Sequence, residues 1–312
     1  MAVIAIDLGG TKIAAALFLQ NGELVHRKIT MLDDAEGDSV GSMIVDLVLE
    51  MLHEEHEIIS GIGISIPGIS RKKTGSVWAP NINDWEDYPL QSKVQSAVPG
   101  IPVIIDSDRA CCILGEVWQG NAQGCSDAIF LTIGTGIGAG ILADHKILHG
   151  AHDISGAIGW MALQKPYSQK YDACGCFEYY ASGDGIARLA QELVEENQGY
   201  GGRLLHSKIT AHEVFDAFSA GDPVAVEVLK QCVQYWGMAC ANLISIFNPE
   251  KIIFGGGVFG PALQFLDAIK AEASLWAQPI SMTQVRFAPS VLGSDTPLYG
   301  AAYLALSNVS SP

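Results

Sequence analysis

The stretch VIAIDLGGTKIAAAL, residues 3–17, decides the fold that we expect for this chain. Two apolar runs flank a short polar segment, and this pattern predicts a strand, a tight turn and a returning strand. Because glycines carry no side chain that would hold a ligand away, backbone N–H groups and a threonine hydroxyl are free to contact anionic oxygens. The sequence therefore predicts a phosphate-binding turn that comprises Gly9, Gly10, Thr11 and Lys12.

Asp7 lies at the end of the first predicted strand. A carboxylate does not attract phosphate, so we expect Asp7 to hold a hydrated Mg²⁺ ion through water. Considered alone, the motif is also compatible with an ordinary β-turn that contains a Gly-Gly pair.

A second copy of the motif supports the phosphate interpretation. IFLTIGTGIGAGIL, residues 129–142, can be laid over residues 4–17 without a gap, so that Gly134 falls on Gly9. Similarity at a spacing of about one domain length predicts two related halves, each with a glycine turn that contacts the same nucleotide. The second predicted phosphate turn comprises Gly134, Thr135 and Gly136.

Composition bounds the class of protein. The chain has 312 residues, of which 49% are hydrophobic and 17% charged, and this is enough for two packed cores. A net charge of −16 argues against nucleic acid or an anionic membrane as a partner. No apolar run has membrane-spanning length, the first residues resemble a strand more than a signal peptide, and the seven cysteines are odd in number. We therefore predict a cytoplasmic protein with reduced thiols.

The loop VWAPNINDWEDYPL, residues 77–90, fits no regular period. Tryptophan faces beside amide and carboxyl groups suit a sugar ring, whose C–H faces pack on the indole while its hydroxyls form hydrogen bonds. The alternative is a loop whose tryptophan side chains fasten it to the core.

Asp106, Ser107 and Asp108 follow a predicted strand at residues 103–105 and precede a helical pattern that ends at Gly120. Acids at such a position can cap the helix, bind metal or act as a general base. With Asp106 as the cap, Asp108 would lie in the first helical turn beyond the strand ends, where open α/β sheets bind ligands. A carboxylate there can take a proton from an attacking hydroxyl, and a role in capping alone is the alternative.

The chain resembles the ROK family of sugar kinases, in the actin-like ATPase superfamily. The family's order and spacing are kept by a first phosphate loop at residues 7–12, a catalytic segment at 106–116, a second phosphate loop at 132–140 and an adenosine loop at 252–257. The resemblance implies an α/β fold of two domains, ribonuclease H-like, with a cleft between the domains. Residues 1–120, completed by a C-terminal helix at 299–312, would form one domain, and residues 121–298 the other.

The resemblance also implies an activity and a set of site residues. It implies transfer of the ATP γ-phosphate to a hexose hydroxyl, O6 of glucose or a related hexose, with Asp108 as base, Mg²⁺ as cofactor and a homodimer as the assembly. The implied adenosine-binding residues are Gly255, Gly256 and Gly257. The implied sugar-binding residues are Gly68, Asn81, Ser107, Asp108, His152 and Glu178.

The chain departs from the family in its recognition residues. Ala157 and Trp160 stand where a glutamate and a histidine usually contact sugar, and Ser107 stands where an asparagine is usual. The family's zinc motif keeps its final cysteine at Cys176, but glutamine and tyrosine occupy its first two positions, so we predict no structural zinc. His152 and the neighbouring Asp153 can take over hydroxyl recognition, or His152 can simply bond to backbone in its loop.

Three rival functions follow from the same sequence. The segment GGGVFG, residues 255–260, has the local form of a dinucleotide-binding turn, but the acids downstream lie inside a helical pattern. The altered recognition residues are compatible with a catalytically impaired sugar-binding protein on a kinase scaffold. A sugar-responsive repressor would need a DNA-binding helix-turn-helix before the first loop, where six residues precede Asp7, and the acidic charge opposes DNA binding.

Overall fold

The computed structural model describes residues 1–54, 57–206 and 208–309, without the side chains of residues 308 and 309. The chain forms two compact units. Unit 1 consists of Met1–Gly124, Ile147–Ser155 and Ser290–Pro312, and unit 2 consists of Cys125–Lys146 and Gly156–Pro289. Residues 147–155 and 290–298 thus belong to unit 1, whereas the division expected from sequence assigned them to the second domain.

Unit 1 is built on a five-stranded sheet with the order β3-β2-β1-β4-β7. The first three strands form an antiparallel meander, as predicted, and β4 and β7 continue the sheet in parallel with β1. The strands are β1 (Ala2–Leu8), β2 (Lys12–Leu19), β3 (Leu24–Met31), β4 (Ile59–Ile66), β5 (Ile69–Arg71), β6 (Ser76–Trp78) and β7 (Val103–Ser107). The helices are α1 (Asp38–Glu54), α2 (Leu90–Ala97) and α3 (Asp108–Gln119).

The central strand β1 is an almost continuous apolar run because both of its faces are buried. Ile4 and Ile6 belong to a core with α1, whereas Val3 and Ala5 belong to a second core with α3 and the C-terminal helix. The period of two along a strand thus sends alternate side chains to two different cores. This double coverage fixes the carboxyl end of β1, where the first glycine turn begins.

Unit 2 has a second five-stranded sheet with the order β10-β9-β8-β11-β12. The strands are β8 (Ala128–Ile133), β9 (Ile137–Ala143), β10 (Lys146–Ile147), β11 (Lys251–Gly255) and β12 (Arg286–Pro289). The helices are α4 (Cys176–Ala181), α5 (Gly183–Glu196), α6 (Ala211–Ser219), α7 (Pro223–Phe247), α8 (Leu266–Trp276) and α9 (Pro279–Gln284). The predicted bounds of α7 are confirmed: Asp222 caps its start and Asn248, in the left-handed region, follows its end.

The two glycine hairpins differ by one residue, which corrects the gap-free overlay of their sequences. In the first hairpin Leu8 pairs with Ile13, whereas in the second Ile133 pairs with Ile137. The second turn is therefore one residue shorter. Ile137, and not Gly138, takes the place that Ile13 has in the first hairpin. The two sequences can be aligned without a gap because similar residues follow each turn, but the hydrogen bonds between the strands define a different register.

The last helix, α10 (Thr296–Val309), begins three residues before the predicted helix at 299–312, whose last three residues lie outside the described part of the chain. It packs on β1, β4 and α3. Small residues make this close approach possible. A Cβ atom at Gly300 would overlap the carbonyl oxygen of Cys111, and one at Gly63 would overlap that of Ala301. The glycines at these two positions therefore set the distance between α10 and its neighbours.

Candidate functional site

The first glycine turn joins β1 to β2 and projects from the sheet. Gly9 closes the turn by donating its N–H to the carbonyl oxygen of Lys12 at 2.9 Å. Gly10, Thr11 and Lys12 are exposed, and the backbone N–H groups of Gly10 and Thr11 have no hydrogen-bond partner among the described residues. No atom lies within 4 Å of the position that a Cβ of Gly10 would occupy. The turn therefore offers free donors and open space, as a phosphate-binding loop requires.

Asp7 is partly buried at the end of β1, immediately before this turn. Burial raises the pKa of its carboxyl group to about 6. The negative charges of Asp108 and Asp295 also raise this pKa, whereas Ser65 and Lys12 lower it. The Ser65 hydroxyl is fully buried on the strand that pairs with Asp7, and it lowers the pKa of the Asp7 carboxyl group. A carboxylate whose burial is only partly compensated is a place where a bound cation with its water would be favourable.

Ser107, and not Asp106, caps α3, so the predicted cap was wrong. The Ser107 side chain accepts a hydrogen bond from the backbone N–H of Ala110 at 3.3 Å. Strand β7 continues through Asp106, which pairs with Ser65 of β4 and is almost fully buried. Its carboxylate accepts from the backbone N–H of Ser107 at 2.8 Å. Ser107, which the resemblance assigned to sugar binding, therefore uses its hydroxyl in the cap.

Asp108 is the first residue of α3 and is partly buried, as expected for a residue beyond the strand end. Its carboxylate accepts from the backbone N–H of Arg109 at 2.8 Å. Burial raises the pKa of Asp108, while the charge and the N–H of Arg109 lower it. The position close to the helix N-terminus also favours the ionised form. A partly desolvated carboxylate of raised pKa is the kind of group that serves as a general base.

His149 is a site residue that the sequence did not reveal. Its Nε2 lies 2.7 Å from Oδ2 of Asp106, and its Nδ1 lies 3.0 Å from the carbonyl oxygen of Ile147. The Asp153 carboxylate accepts a hydrogen bond from the backbone N–H of Lys72 at 3.3 Å. The loop of residues 147–155 is therefore held to the rest of unit 1 at two points. His152, the predicted contact, is exposed and has no hydrogen-bond partner among the described residues. No local signal connects His149 to an acid that is 43 residues away.

The loop of residues 77–90 is fastened to the core by tryptophan. Trp85 is buried, donates its Nε1–H to the carbonyl oxygen of Gly37 at 2.9 Å and stacks on Tyr88 at 4.3 Å between ring centroids. The hypothesis that both tryptophans form an open sugar platform is therefore wrong for Trp85. Asn81 is exposed, so its amide remains free for a ligand.

Gly68 lies in the turn between β4 and β5 with a φ of 129°. A Cβ atom there would overlap the carbonyl oxygen of Trp78, so only glycine fits the turn. Nη2 of Arg109 donates to the Gly68 carbonyl oxygen at 3.1 Å. The side chain of Arg109, the residue that follows Asp108, thus contacts the turn at Gly68.

In unit 2, Glu178 is fastened to the second glycine turn. Its Oε2 accepts from the backbone N–H of Ile137 at 2.6 Å. A Cβ at either Gly136 or Gly159 would lie 2.9 Å from that oxygen, which shows how closely the backbone surrounds the carboxylate. Burial raises the pKa of Glu178, and the Ile137 N–H lowers it. Trp160, at the end of a short 3₁₀ helix beside Gly159, is 58% exposed.

A cavity of 350 Å³ in unit 2 joins the second phosphate turn to the predicted adenosine loop. Gly256 has a φ of 87°, and a Cβ there would overlap the carbonyl oxygen of Ile133, so this loop packs directly on the end of β8. Nothing lies within 4 Å of a Cβ position at Gly257. Sequence reasoning missed the third wall, which α5 and α6 provide. The lining residues are Gly134, Thr135, Gly183, Asp184, Ala187, Lys208, Ile209, Thr210, Ala211, His212, Phe215, Gly257, Val258 and Pro261.

Aromatic residues surround the position where the resemblance would have placed zinc ligands. Tyr171 is buried, and its hydroxyl lies 2.9 Å from that of Tyr180. Tyr180 in turn stacks on Tyr235 at 4.7 Å. Within the described ranges, no group of three or more histidine, cysteine, aspartate or glutamate side chains is placed to hold a metal ion. The zinc prediction itself rests on the missing ligands in the sequence.

Comparisons with known proteins agree with this geometry. Residues 3–308 match the sequence profile of the ROK family. A glucokinase from Halalkalibacterium halodurans is 34% identical over 311 residues, covering 96% of this chain and 94% of the relative. A xylose repressor from Caldicellulosiruptor bescii is 32% identical over 265 residues, covering 81% of this chain and 65% of the relative.

A solved structure gives the likeness in three dimensions. A ROK family glucokinase from Streptomyces griseus, determined in complex with glucose and AMPPNP, has a TM-score of 0.78 at 29% identity and covers 98% of this chain and 100% of that one. ROK sugar kinases have the actin-like ATPase fold, so the predicted fold class is confirmed. None of the helices that the described residues form is long and apolar enough to cross a lipid bilayer.

Proposed function

The chain belongs to the ROK family, and from that premise we propose that it transfers the γ-phosphate of ATP to O6 of glucose or a related hexose, with Asp108 as general base. It is a carbohydrate kinase, in agreement with its glucokinase relatives and with the ROK glucokinase that binds glucose and an ATP analogue. One observation supports the proposed nucleotide site above all others. The 350 Å³ cavity of unit 2 is lined by two of the three glycine segments that the sequence assigned to ATP, with Gly134 and Gly257 in its wall.

The proposed role of Asp108 rests on its place and its surroundings. Phosphoryl transfer needs an alcohol positioned in line with the γ-phosphate and relieved of its proton as the bond forms. Asp108 is held by the Arg109 N–H in the first turn of α3, and burial raises its pKa toward the range in which a base is effective. A base in this position contributes roughly 10²–10⁴ in rate.

The residues around Asp7 fit a bound Mg²⁺ ion. The partly buried Asp7 carboxylate would hold the ion through water, beside the buried hydroxyl of Ser65. A site of this kind needs few protein ligands because nucleotide phosphates and water supply the others. When bound, the ion would neutralise charge on the phosphate oxygens. The exposed N–H groups of Gly10 and Thr11 provide the second source of neutralisation.

Sugar recognition is proposed for residues that are accessible or held by hydrogen bonds. In unit 1 these are Gly68 and Asn81, and in unit 2 the carboxylate of Glu178. The exposed indole of Trp160 can pack on the C–H face of a sugar, which is a different contact from the hydrogen bonds of a histidine.

Replacement of Asp108 by asparagine tests the proposed base. We expect kcat to fall by roughly 10²–10⁴ while the affinity for the hexose changes little, because the amide keeps the shape of the side chain but does not accept the proton. Turnover is measured with an assay coupled to ADP release, and hexose affinity by calorimetry without ATP. Near-normal turnover of this variant would show that another group is the base.

A panel of hexoses and acetamido-hexoses with Mg·ATP separates the kinase from the rival function. ADP release that depends on one sugar, with the product phosphorylated at O6, supports the proposal. Sugar binding without turnover for every sugar would instead support a catalytically impaired sugar-binding protein, which the altered residues Ala157 and Trp160 allow.

We also propose a cytoplasmic homodimer. All seven cysteines are free in the structure, which is typical of a reducing compartment. The dimer is implied by the family resemblance, and light scattering on the purified protein at micromolar concentration tests it directly.

A further inference from the structure

Arg109 is the charged residue next to the proposed base, and the function assigned above gives it no task. Its side chain leaves α3 and reaches the turn between β4 and β5, where Nη2 donates to the carbonyl oxygen of Gly68 at 3.1 Å. The two residues are 41 positions apart in sequence. One side chain therefore connects the start of the catalytic helix to a turn that the resemblance assigns to sugar binding.

The turn at Gly68 leaves little freedom for its carbonyl group. Its φ of 129° is accessible only to glycine, and the backbone of Trp78 lies against the position of the missing Cβ. The hydrogen bond from Arg109 goes to the carbonyl oxygen of this constrained glycine, Gly68. Loss of the hydrogen bond would leave the carbonyl without this partner and allow the turn to rotate relative to α3.

The position of the Arg109 guanidinium leaves one of its N–H groups without a hydrogen bond among the described residues. Nε of Arg109 is buried and has no hydrogen-bond partner among the described residues. A buried donor without a partner is unfavourable, so a position that keeps one is expected to have a compensating role. Lysine keeps the positive charge but lacks the planar guanidinium, whereas glutamine lacks both, so the two replacements separate the geometry of arginine from its charge.

The charge of Arg109 acts on Asp108. The titratable groups that interact with Asp108 are Asp7 on β1 and Arg109 and Cys112 on α3, and Arg109 is the cation among them. Burial raises the pKa of Asp108, and the guanidinium opposes this change. Without the positive charge, the pKa of Asp108 would be higher still.

We propose that Arg109 is a positioning residue for the kinase reaction, which fixes the Gly68 turn to the start of α3 through its hydrogen bond. This inference rests on the proposed function, in which Asp108 is the base and Gly68 contacts the sugar. The hydrogen bond and the charge of Arg109 are separable, because a lysine at position 109 keeps the charge but lacks the planar fork of donors.

The test compares Arg109→Gln, Arg109→Lys and Arg71→Gln in the full chain. Arg71, on β5, is the control because its guanidinium also donates to a backbone carbonyl oxygen, from Nη1 to that of Glu86 at 2.8 Å; it also pairs with Asp87 at 3.0 Å. For Arg109→Gln we expect the acidic limb of kcat/KM against pH to move to higher pH, because the cation that lowers the pKa of Asp108 is lost. We expect the KM for hexose to rise about fivefold to tenfold, as for the loss of one hydrogen bond to a fixed group.

Arg109→Lys should keep the acidic limb within a few tenths of a pH unit of the wild type while the KM for hexose still rises. Arg71→Gln should change neither quantity. An unchanged limb and an unchanged KM in Arg109→Gln, with only a lower melting temperature, would show a purely structural role and overturn the proposal. If Arg109→Gln does not fold, an Arg109→Lys variant with wild-type KM overturns the positioning part.

A failure of the proposed function would be seen separately. If wild-type protein phosphorylates no hexose, hexose affinity measured by calorimetry without ATP still reports on the Gly68 turn. A weaker affinity in Arg109→Gln and an unchanged one in Arg71→Gln would then support the positioning role alone, and equal affinities would refute it.

Discussion

Replacing Asp7 by asparagine should make the unliganded protein more stable at neutral pH, although the same change should abolish its kinase activity. Burial raises the pKa of this carboxyl group from 3.8 to about 6, and repulsion from Asp108 and Asp295 contributes. The folded state therefore prefers the protonated form, whereas the unfolded chain ionises in the ordinary range. At pH 7 the native protein contains an ionised group in an unfavourable place.

The size of the effect follows from the two pKa values. A difference of about 2 pH units at 1.36 kcal/mol per unit lowers the free energy of unfolding by about 3 kcal/mol at pH 7. Asparagine removes the charge but also its attraction to Lys12, so we expect a net gain of about 1–3 kcal/mol.

The sign can be checked against pH. Between about pH 4 and pH 6 the folded carboxyl binds more protons than the unfolded one, so the stability of the wild type falls as the pH rises through this window. Below 3.8 both states are protonated and Asp7 contributes nothing. The stability difference between Asp7→Asn and wild type should therefore be small near pH 4, grow through pH 6 and be constant above about pH 7.

The measurement is urea-induced unfolding of both proteins at pH values from 4.5 to 8 in the presence of a metal chelator. Asp46→Asn, at an exposed position of α1, controls for the removal of one negative charge from an acidic protein. Addition of Mg·ATP should stabilise the wild type and leave Asp7→Asn nearly unchanged. A variant that is less stable than wild type at pH 7.5, or a difference that does not depend on pH, would refute the reasoning.

Two glycine substitutions make further predictions and serve as controls for one another. Gly10→Ala should leave the free energy of unfolding within about 0.5 kcal/mol of wild type, because nothing lies within 4 Å of the added methyl group. The methyl group should nevertheless raise the KM for ATP, because it obstructs the phosphate. An unchanged KM for ATP would argue against this loop as a phosphate site. Gly300→Ala should destabilise the protein by about 3 kcal/mol, measured by urea unfolding, because its methyl group would overlap the Cys111 carbonyl oxygen; wild-type stability would contradict the close packing of α10 on α3.

The sequence predicted those parts of the site that are local. An apolar run, a Gly-Gly pair and a second apolar run specify a hairpin because strand period and turn conformation depend on neighbours a few residues apart. For the same reason the start of α7 at Pro223 was predictable from Asp222, which caps it. The glycines of residues 255–257 were recognisable as a ligand loop because close backbone approach requires residues without side chains.

The sequence could not choose between groups that are equally able to play a role. Asp106 and Ser107 can both cap a helix, and the choice depended on β7 continuing through Asp106 to pair with β4. Trp85 could face a sugar or the core, and its hydrogen bond to Gly37 decided for the core. In both cases a contact with a residue distant in sequence stabilised one alternative, and local propensity does not include such contacts.

The sequence by itself thus determined the two glycine hairpins, the presence of a helix after β7 and the membership of a kinase family. Only the tertiary structure decided that His149 contacts Asp106, that Arg109 reaches Gly68 and that Glu178 is bonded to the N–H of Ile137. The physical reason is distance along the chain. These contacts join residues about 40 positions apart, and they form only because packed sheets and helices bring the ends of separate elements together.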